Sequence, residues 1–217
     1  MSWRAYEKIA LASSPLRIEV VVDDILVSAV WGLHEYCGTE VLIYARMPRE
    51  PEIAADGEKG SRITYYVVAA SPGDDLVVPR QKASAAEVEV LEPPPSARDY
   101  AVIHTHPPGV KRFSGTDREY ININHPVSLL IESGSVVDAV VTFSQGPLVL
   151  QVRPSVILAR PGEAEVRYTS PAGKIARLIL TLPSRLIGKL ISDAYQRALR
   201  GQASNIQGCR RGSAHRS

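Results

Sequence analysis

The chain has 217 residues, of which 45% are hydrophobic and 22% charged, the proportions of an ordinary globular protein rather than a disordered one. This length suits one domain with a substantial core and a small appendage. The formal net charge of +2 gives no indication of a nucleic-acid partner, and no apolar run approaches the ~20 residues of a membrane-spanning helix.

The cysteines and the first residues bear on the cellular compartment. Only Cys37 and Cys209 occur, and two cysteines cannot build a disulfide framework or a cysteine-rich zinc site. The opening stretch MSWRAYEKIALASSPLRIEV interrupts its apolar residues with charges and lacks the apolar centre of a signal peptide. A reducing, cytoplasmic setting is therefore expected, with no nucleic-acid and no membrane partner.

The first half of the chain should contain strands and one helix. The run LRIEVVV at residues 16–22 predicts a strand, and Asp23 and Asp24 after it are an N-cap signal. A helix over DDILVSAVWGLHEY should follow, because its apolar residues recur at helical spacing, and YCGTEVLIYARM should leave it as a strand. Residues 48–61, rich in proline, glycine and charge, predict a mobile loop. RITYYVVAA and AEVEVLE predict further strands.

The second half should be mostly strand before it becomes helical. YAVIHTH predicts a strand ended by Pro107 and Pro108, and SGTDREYININ begins like a short helix. SLLIES, VVDAVVTF and PLVLQVRPSVIL follow as strands. Residues 174–199 keep helical spacing, with Pro183 dividing them into two helices and Gly201 at the end. The predicted class is α+β, a mixed β-sheet with flanking helices and a C-terminal helical extension.

Two of the five histidines stand one residue apart at the end of YAVIHTH. Residues two apart on a strand point to the same face, so His104 and His106 can reach one metal ion. Asp117 follows a loop that can fold back and supply a third, anionic ligand. Two histidines, a carboxylate and one open position are typical of a catalytic zinc site. Ser114 and Asp117 also fit a helix N-cap, and either histidine alone also fits a core position.

The combination H-T-H-P, six residues and then S-x-x-D closely resembles the JAMM motif of MPN-domain metalloproteases. The resemblance implies that His104, His106 and Asp117 hold Zn²⁺ and that Ser114 helps to stabilise the tetrahedral intermediate. It also implies a glutamate upstream that activates the metal-bound water. Glu35 matches best, because EYCG fits the family's E-x-x-G pattern at a helix-to-strand junction. Glu40 is the nearest rival, but it lacks the following glycine and should lie in the middle of a strand.

The resemblance extends over residues 16–158 in the order of elements, and it implies a domain organisation and an activity. Residues 1–158 would form an MPN domain with a cytidine-deaminase-like mixed sheet. Residues 159–200 would add a strand and helices packed on it, and residues 201–217 a basic, disordered tail. The implied activity is zinc-dependent hydrolysis of the peptide or isopeptide bond after the C-terminal glycine of ubiquitin or a ubiquitin-like modifier, as in the compact archaeal and bacterial members.

Several alternatives remain open from the sequence. The same chemistry could process a sulfur-carrier protein, or the chain could be a non-catalytic MPN scaffold subunit. A DNA-associated domain like the related RadC family has little support from the charge. Cys37 could act as a thiol nucleophile with His34 or His104 as base, although a core position is expected for it. The C-terminal helices should pack on the domain, or else mediate a homo-oligomer or a regulatory complex.

Overall fold

The computed structural model describes residues 16–47, 50–55, 60–67, 75–92, 97–145, 148–159 and 184–209. The helices are α1 (Asp24–Cys37), α2 (Gly115–Asn124) and α3 (Ser184–Gly201). The strands are β1 (Leu16–Asp23), β2 (Leu42–Arg46), β3 (Glu52–Ala55), β4 (Ser61–Val67), β5 (Leu76–Val77), β6 (Gln81–Ala83), β7 (Val88–Val90), β8 (Tyr100–Thr105), β9 (Val127–Glu132), β10 (Ser135–Gln145), β11 (Leu148–Val152), β12 (Ser155–Ala159) and β13 (Ile206–Gln207).

The described strands form three sheets. The largest has six strands in the order β11-β10-β9-β8-β2-β5, with β8 and β9 parallel and the other pairs antiparallel. The second has the order β12-β1-β4-β3, in which β3 is the antiparallel strand, and the third has the order β13-β6-β7. The predicted class, α+β with mixed sheets and few helices, is confirmed.

Helix α1 contacts β1 of the second sheet and β8, β9 and β10 of the largest. It begins where the Asp23 side chain accepts a hydrogen bond of 2.9 Å from the Ile25 amide, as the N-cap signal predicted. It ends at Gly38, whose φ of 65° suits glycine and whose amide donates to the His34 carbonyl. Its apolar stripe joins the main core, where its buried residues are Ile25, Leu26, Val27, Ala29, Val30, Leu33 and Cys37.

The two faces of the six-stranded sheet differ in what they carry. Ile43, Ile103 and Leu129 point into the main core beneath α1. The residues one position earlier or later on the same strands, among them Leu42 and His104, point to the opposite face. A register shift of one residue would therefore move the histidine into the apolar core, so burial of the core face specifies which side of the sheet carries the polar residues.

The C-terminal segment packs on α1 and ends in a covalent link to it. Arg200 of α3 lies over the Tyr36 ring, with 5.2 Å between the guanidinium carbon and the ring centroid. Cys209 forms a disulfide with Cys37, the last residue of α1. The sequence predicts no disulfide between these cysteines, and that expectation is wrong, which removes one reason for expecting a reducing compartment. The prediction of a tail from residue 201 is also wrong for residues 201–209, which include a 3₁₀ turn and β13.

Other boundaries depart from the predictions in smaller ways. Residues 52–55 of the predicted loop form β3, because they pair with β4 at the sheet edge. The strand after α1 begins only at Leu42, since Cys37 still belongs to the helix and Gly38 ends it. Helix α3 begins directly after Pro183. The helix predicted before that proline lies outside the described residues. Among the described helices, none is long and apolar enough to cross a bilayer.

We expect replacement of Asp23 by Asn to change how stability depends on pH. Burial raises the pKa of Asp23 from 3.8 to about 6, and the nearby charge of Asp24 adds to the shift. The native carboxyl therefore holds its proton more tightly than the unfolded one, and wild-type stability falls as the pH rises through this window. Asn keeps an N-cap acceptor without the charge. Above the folded pKa, the free energy of unfolding of Asp23→Asn should exceed that of wild type by about 3 kcal/mol, and the difference should fade toward the unfolded pKa.

Urea denaturation across this pH range measures the effect. The variant Asp193→Asn is the control, because Asp193 is exposed on α3 and its charge should make no such difference. A constant stability difference between Asp23→Asn and wild type at every pH would contradict the prediction.

A second expectation concerns the disulfide. It joins residues separated by 172 positions, so it greatly restricts the unfolded chain. A dithiol reductant should lower the free energy of unfolding of wild type by about 2–5 kcal/mol. The Cys209→Ser variant should unfold at the lower urea concentration with or without reductant. If wild type unfolds identically in both conditions, the bond does not stabilise the fold.

Candidate metal centre

The two histidines lie at the end of β8, on the face of the sheet opposite the main core. His104 pairs with Leu42 of β2 on one side and with Leu130 of β9 on the other. The His106 amide donates to the Ile131 carbonyl at 3.0 Å, which holds the chain straight beyond the last residue of β8. Both imidazoles are 4% exposed, and their ring centroids are 4.7 Å apart. The side-by-side arrangement expected from strand alternation is present.

Glu40 joins the histidines because of the pairing between β2 and β8. Leu42 lies opposite His104, so continuing the antiparallel register puts residue 40 opposite His106 and on the same face. The Glu40 amide donates to the Ser84 carbonyl at 2.8 Å. Its carboxylate oxygen Oε2 lies 3.3 Å from Nε2 of His104, and the residue is 3% exposed. A buried carboxylate therefore stands beside the first histidine.

Asp117 reaches the histidines from the first turn of α2. Ser114 and Asp117 form a capping box, in which Ser114 Oγ accepts from the Asp117 amide at 3.1 Å and Asp117 Oδ2 accepts from the Ser114 amide at 2.7 Å. The same carboxylate lies 3.2 Å from Nδ1 of His104 through Oδ1, and 3.2 Å from Nε2 of His106 through Oδ2. One carboxylate thus bridges both imidazoles.

The loop between β8 and α2 is attached to the sheet at two points. The Gly109 amide donates to Oε1 of Glu132 at 3.1 Å, and the Phe113 amide donates to Oδ2 of Asp138 at 3.4 Å. Phe113 is buried against Leu130 on the same face of the sheet. These contacts fix where α2 starts, and therefore where Asp117 lies.

A group of aromatic rings connects α2 to β2 beneath the site. The hydroxyl groups of Tyr120 on α2 and Tyr44 on β2 are hydrogen bonded to each other. His125 stacks on the Tyr44 ring at 5.3 Å between centroids, and its Nδ1 lies 3.2 Å from the Tyr100 carbonyl oxygen. Tyr120 is one turn after Asp117, so this bond ties α2, which carries Asp117, to β2, the strand that follows Glu40.

The charges of the site stabilise one another. Burial is the largest single influence on the pKa of His104 and lowers it, but hydrogen bonds with Asp117 and Glu40 oppose burial and raise the pKa above 6.5. Burial likewise acts to raise the pKa of Asp117, whereas the hydrogen bonds with His104 and His106 bring it well below its usual range. The carboxylate is therefore ionised and a cation is favoured between it and Glu40.

The donor set fits a metal ion. Glu40, His104 and His106 each offer a ligand atom, and these atoms lie within 4.8 Å of one another. Asp117 adds a carboxylate within 3.2 Å of both imidazoles. Among the described residues, nothing lies within hydrogen-bonding distance of His106 Nδ1, although this atom is buried. Imidazole and carboxylate ligands suit divalent transition metals such as Zn²⁺, whose binding replaces ring protons.

The structure does not bring Glu35 into this site, which corrects the preference for Glu35 over Glu40. Glu35 is exposed on the last turn of α1, where its Oε1 accepts a hydrogen bond of 3.0 Å from the Trp31 indole. The glycine of its E-x-x-G match, Gly38, ends α1 in a left-handed conformation. The local pattern therefore belongs to a helix C-cap. Glu40 lies just before β2. The one sequence feature that indicates its position is its spacing of two residues from Leu42, which puts both side chains on the same face of the strand.

The other candidates have identifiable places. Ser114 is exposed at the N-terminus of α2, as the N-cap interpretation predicted. Cys37 is in a disulfide, so it offers no thiol nucleophile beside His34. His34 lies on the core side of β8, where its Nδ1 is 3.0 Å from the Thr105 hydroxyl and its ring stacks on Trp31. Burial lowers the pKa of His34, consistent with a neutral structural residue.

Comparison with known proteins adds nothing to this description, since no family model and no curated protein matches the chain.

The capping box allows a test of how Asp117 is held. Ser114→Ala removes the acceptor of the Asp117 amide, so the free energy of unfolding should fall by about 1 kcal/mol. Zinc affinity should fall as well, because Asp117 would be less firmly oriented. Ser114→Asn keeps an N-cap acceptor and should restore both quantities. Urea denaturation and zinc titration measure them, and equal values for Ala and wild type would show that the cap is unimportant.

Proposed function

We propose that the chain is a zinc-dependent peptidase of the JAMM type, which hydrolyses the peptide or isopeptide bond after the C-terminal glycine of ubiquitin or a ubiquitin-like modifier. The observation that carries the proposal is the meeting of two buried imidazoles with two carboxylates from different elements, Asp117 at 3.2 Å and Glu40 at 3.3 Å. A structural zinc site would use all four of these side chains as ligands, whereas a catalytic site would use three and leave one carboxylate for proton transfer.

We assign the metal ligands as His104, His106 and Asp117. We choose Asp117 over Glu40 because its two oxygens lie 3.2 Å from both imidazoles. The Glu40 carboxylate lies 3.3 Å from His104, and its ligand atom is within 4.8 Å of that of His106. The Asp117 side chain is 15% exposed, so it lies on the side of the site that substrate can reach. Glu40 lies deeper and is the acid–base group in this assignment.

The chain's own residues then divide the chemistry. When bound, Zn²⁺ would polarise the scissile carbonyl and lower the pKa of the attacking water, so that a base can remove its proton. Glu40 accepts the proton of the attacking water and passes it to the leaving amine. The Ser114 hydroxyl accepts from the Asp117 amide, which leaves its own hydrogen free to donate to the substrate's developing oxyanion. Ser114 thus serves as both cap and donor.

The substrate class rests on the resemblance of residues 104–117 to the JAMM motif. The short segment between Asp117 and β9 leaves little room for the insertion with which some members read polyubiquitin linkages. A single modifier with an extended C-terminal tail is therefore the proposed substrate.

The test combines zinc content with cleavage of a ubiquitin-like C-terminal fusion. Wild type should hold about one zinc ion and cleave the fusion. Glu40→Gln should keep zinc and lose activity by about 10²- to 10⁴-fold, because it removes the acid–base group. Glu35→Gln, the matched control, should keep both properties. His106→Ala should lose zinc and activity together.

Each departure identifies a different error. A wild-type chain without zinc would favour a scaffold subunit. Zinc with cleavage of a sulfur-carrier fusion alone would keep the chemistry and change the substrate. Loss of zinc in Glu40→Gln, with zinc retained in Asp117→Asn, would exchange the roles of the two carboxylates. Loss of activity in Glu35→Gln but not in Glu40→Gln would make Glu35, and not Glu40, the acid–base group.

A further inference from the structure

A fully buried glutamine supports the strand that leads to Glu40. Gln81 on β6 is 0% exposed, and its side-chain amide makes two hydrogen bonds to the backbone of Leu42. We infer that Gln81 is a positioning residue that holds Glu40 beside His104. This inference rests on the proposed function, since it concerns the group to which that function gives proton transfer.

The glutamine takes the place of a missing strand partner. Strand β5 pairs with β2 at Tyr44 and Ala45, and continuing this antiparallel register would bring Pro79 opposite Leu42. Proline has no amide hydrogen, so it cannot donate to the Leu42 carbonyl. Instead, Nε2 of Gln81 donates to that carbonyl at 2.8 Å, and Oε1 of Gln81 accepts from the Leu42 amide at 2.9 Å. Without Gln81, both backbone groups would be buried and unpaired.

Glu40 depends on this support because it lies two residues before Leu42 and outside β2. The only described backbone bond from the Glu40 amide goes to the Ser84 carbonyl, just after β6. Gln81 and Ser84 therefore hold residues 40–42 from the same short segment. On the opposite side, the Val41 amide donates to the Thr105 hydroxyl of β8 at 2.9 Å. Residues 40–42 are thus fixed between β8 and the Gln81 segment.

Gln81 is itself firmly placed. It pairs with Val90 of β7 on one side and with Ile206 of β13 on the other, because β6 is the central strand of the three-stranded sheet. Strand β13 is close to Cys209, whose disulfide ends at Cys37, three residues before Glu40. A rigid support of this kind can hold a carboxylate more accurately than a loop can, which matters because catalysis is sensitive to small displacements.

The chain contains a matched control for Gln81. Gln202 makes the same pair of bonds to another segment, since its Oε1 accepts from the Val78 amide at 2.9 Å and its Nε2 donates to the Leu76 carbonyl at 2.9 Å. These bonds support β5 and do not involve residues 40–42. Gln81→Met and Gln202→Met keep side-chain length and each remove such a pair of bonds, and Gln81→Met also removes a longer bond of 3.4 Å from Nε2 to the Pro79 carbonyl. Both variants should lower the melting temperature.

The decisive readout is the environment of His104 in zinc-free protein, measured from its imidazole nitrogen NMR shifts at one pH. Glu40→Gln alters the partner of His104 Nε2 and provides the reference change. Gln81→Met should change the His104 shifts in the same direction, whereas Gln202→Met should leave them as in wild type. Unchanged His104 shifts in folded Gln81→Met would overturn the inference. If Gln81→Met does not fold, Gln81→Asn keeps a neutral amide on a side chain one methylene shorter and should shift the His104 signals in the same direction, and no shift would again overturn the inference.

Activity provides a second readout that a general loss of stability would not reproduce. Gln81→Met should lower kcat about 10- to 100-fold with zinc content and KM unchanged. In the Glu40→Gln background it should have no further effect on kcat, because positioning acts through Glu40. Equal losses in both backgrounds would overturn the inference. If wild type cleaves nothing, the proposed function fails, and the His104 shifts still decide whether Gln81 positions Glu40.

Discussion

The antiparallel pairing of β2 with β8 controls the geometry of the site. It places Leu42 opposite His104, and strand alternation then assigns every residue of both strands to a face. Apolar residues such as Ile43 and Ile103 go to the main core under α1, while Glu40, His104 and His106 go to the opposite face. Because the core face is fully buried, this assignment is stabilised by the hydrophobic effect. The positions of Glu40, His104 and His106 on one face therefore depend on burial of the apolar residues on the other face.

The second carboxylate reaches the histidines by a different kind of constraint. Asp117 is in the first turn of α2, and the start of that helix is set by the capping box with Ser114 and by the buried side chain of Phe113. A capping motif normally stabilises a helix end. Here the same Asp117 carboxylate satisfies the Ser114 amide and lies against both imidazoles. Helix initiation and the arrangement of the candidate metal centre therefore depend on one side chain.

The C-terminal segment completes the support of the site from the far end of the chain. Strand β13 pairs with β6, which carries Gln81, and Cys209 is linked to Cys37 at the end of α1. The short stretch from Cys37 to Leu42 is consequently bounded by a disulfide at one end and by the Gln81 amide at the other. Such crosslinks restrict backbone freedom in the segment that carries Glu40.

The sequence by itself determined the local features. Patterns within a few residues predicted the same-face placement of His104 and His106 and the N-caps at Asp23 and Ser114. The order of the predicted strands and helices along the chain gave the α+β class. These patterns were sufficient because strand alternation and helix capping are local effects.

Only the tertiary structure placed Glu40 rather than Glu35 beside His104, paired the two cysteines and brought the Gln81 side chain against Leu42. The EYCG pattern was equally consistent with a helix end, and no local pattern places Cys209 beside Cys37, 172 positions away. Short strands such as β6 and β13 have too few residues to show a period, and they exist because they pair with each other. Strand register and long-range contacts are set by packing of the whole chain, which is why these features could not be predicted from the sequence.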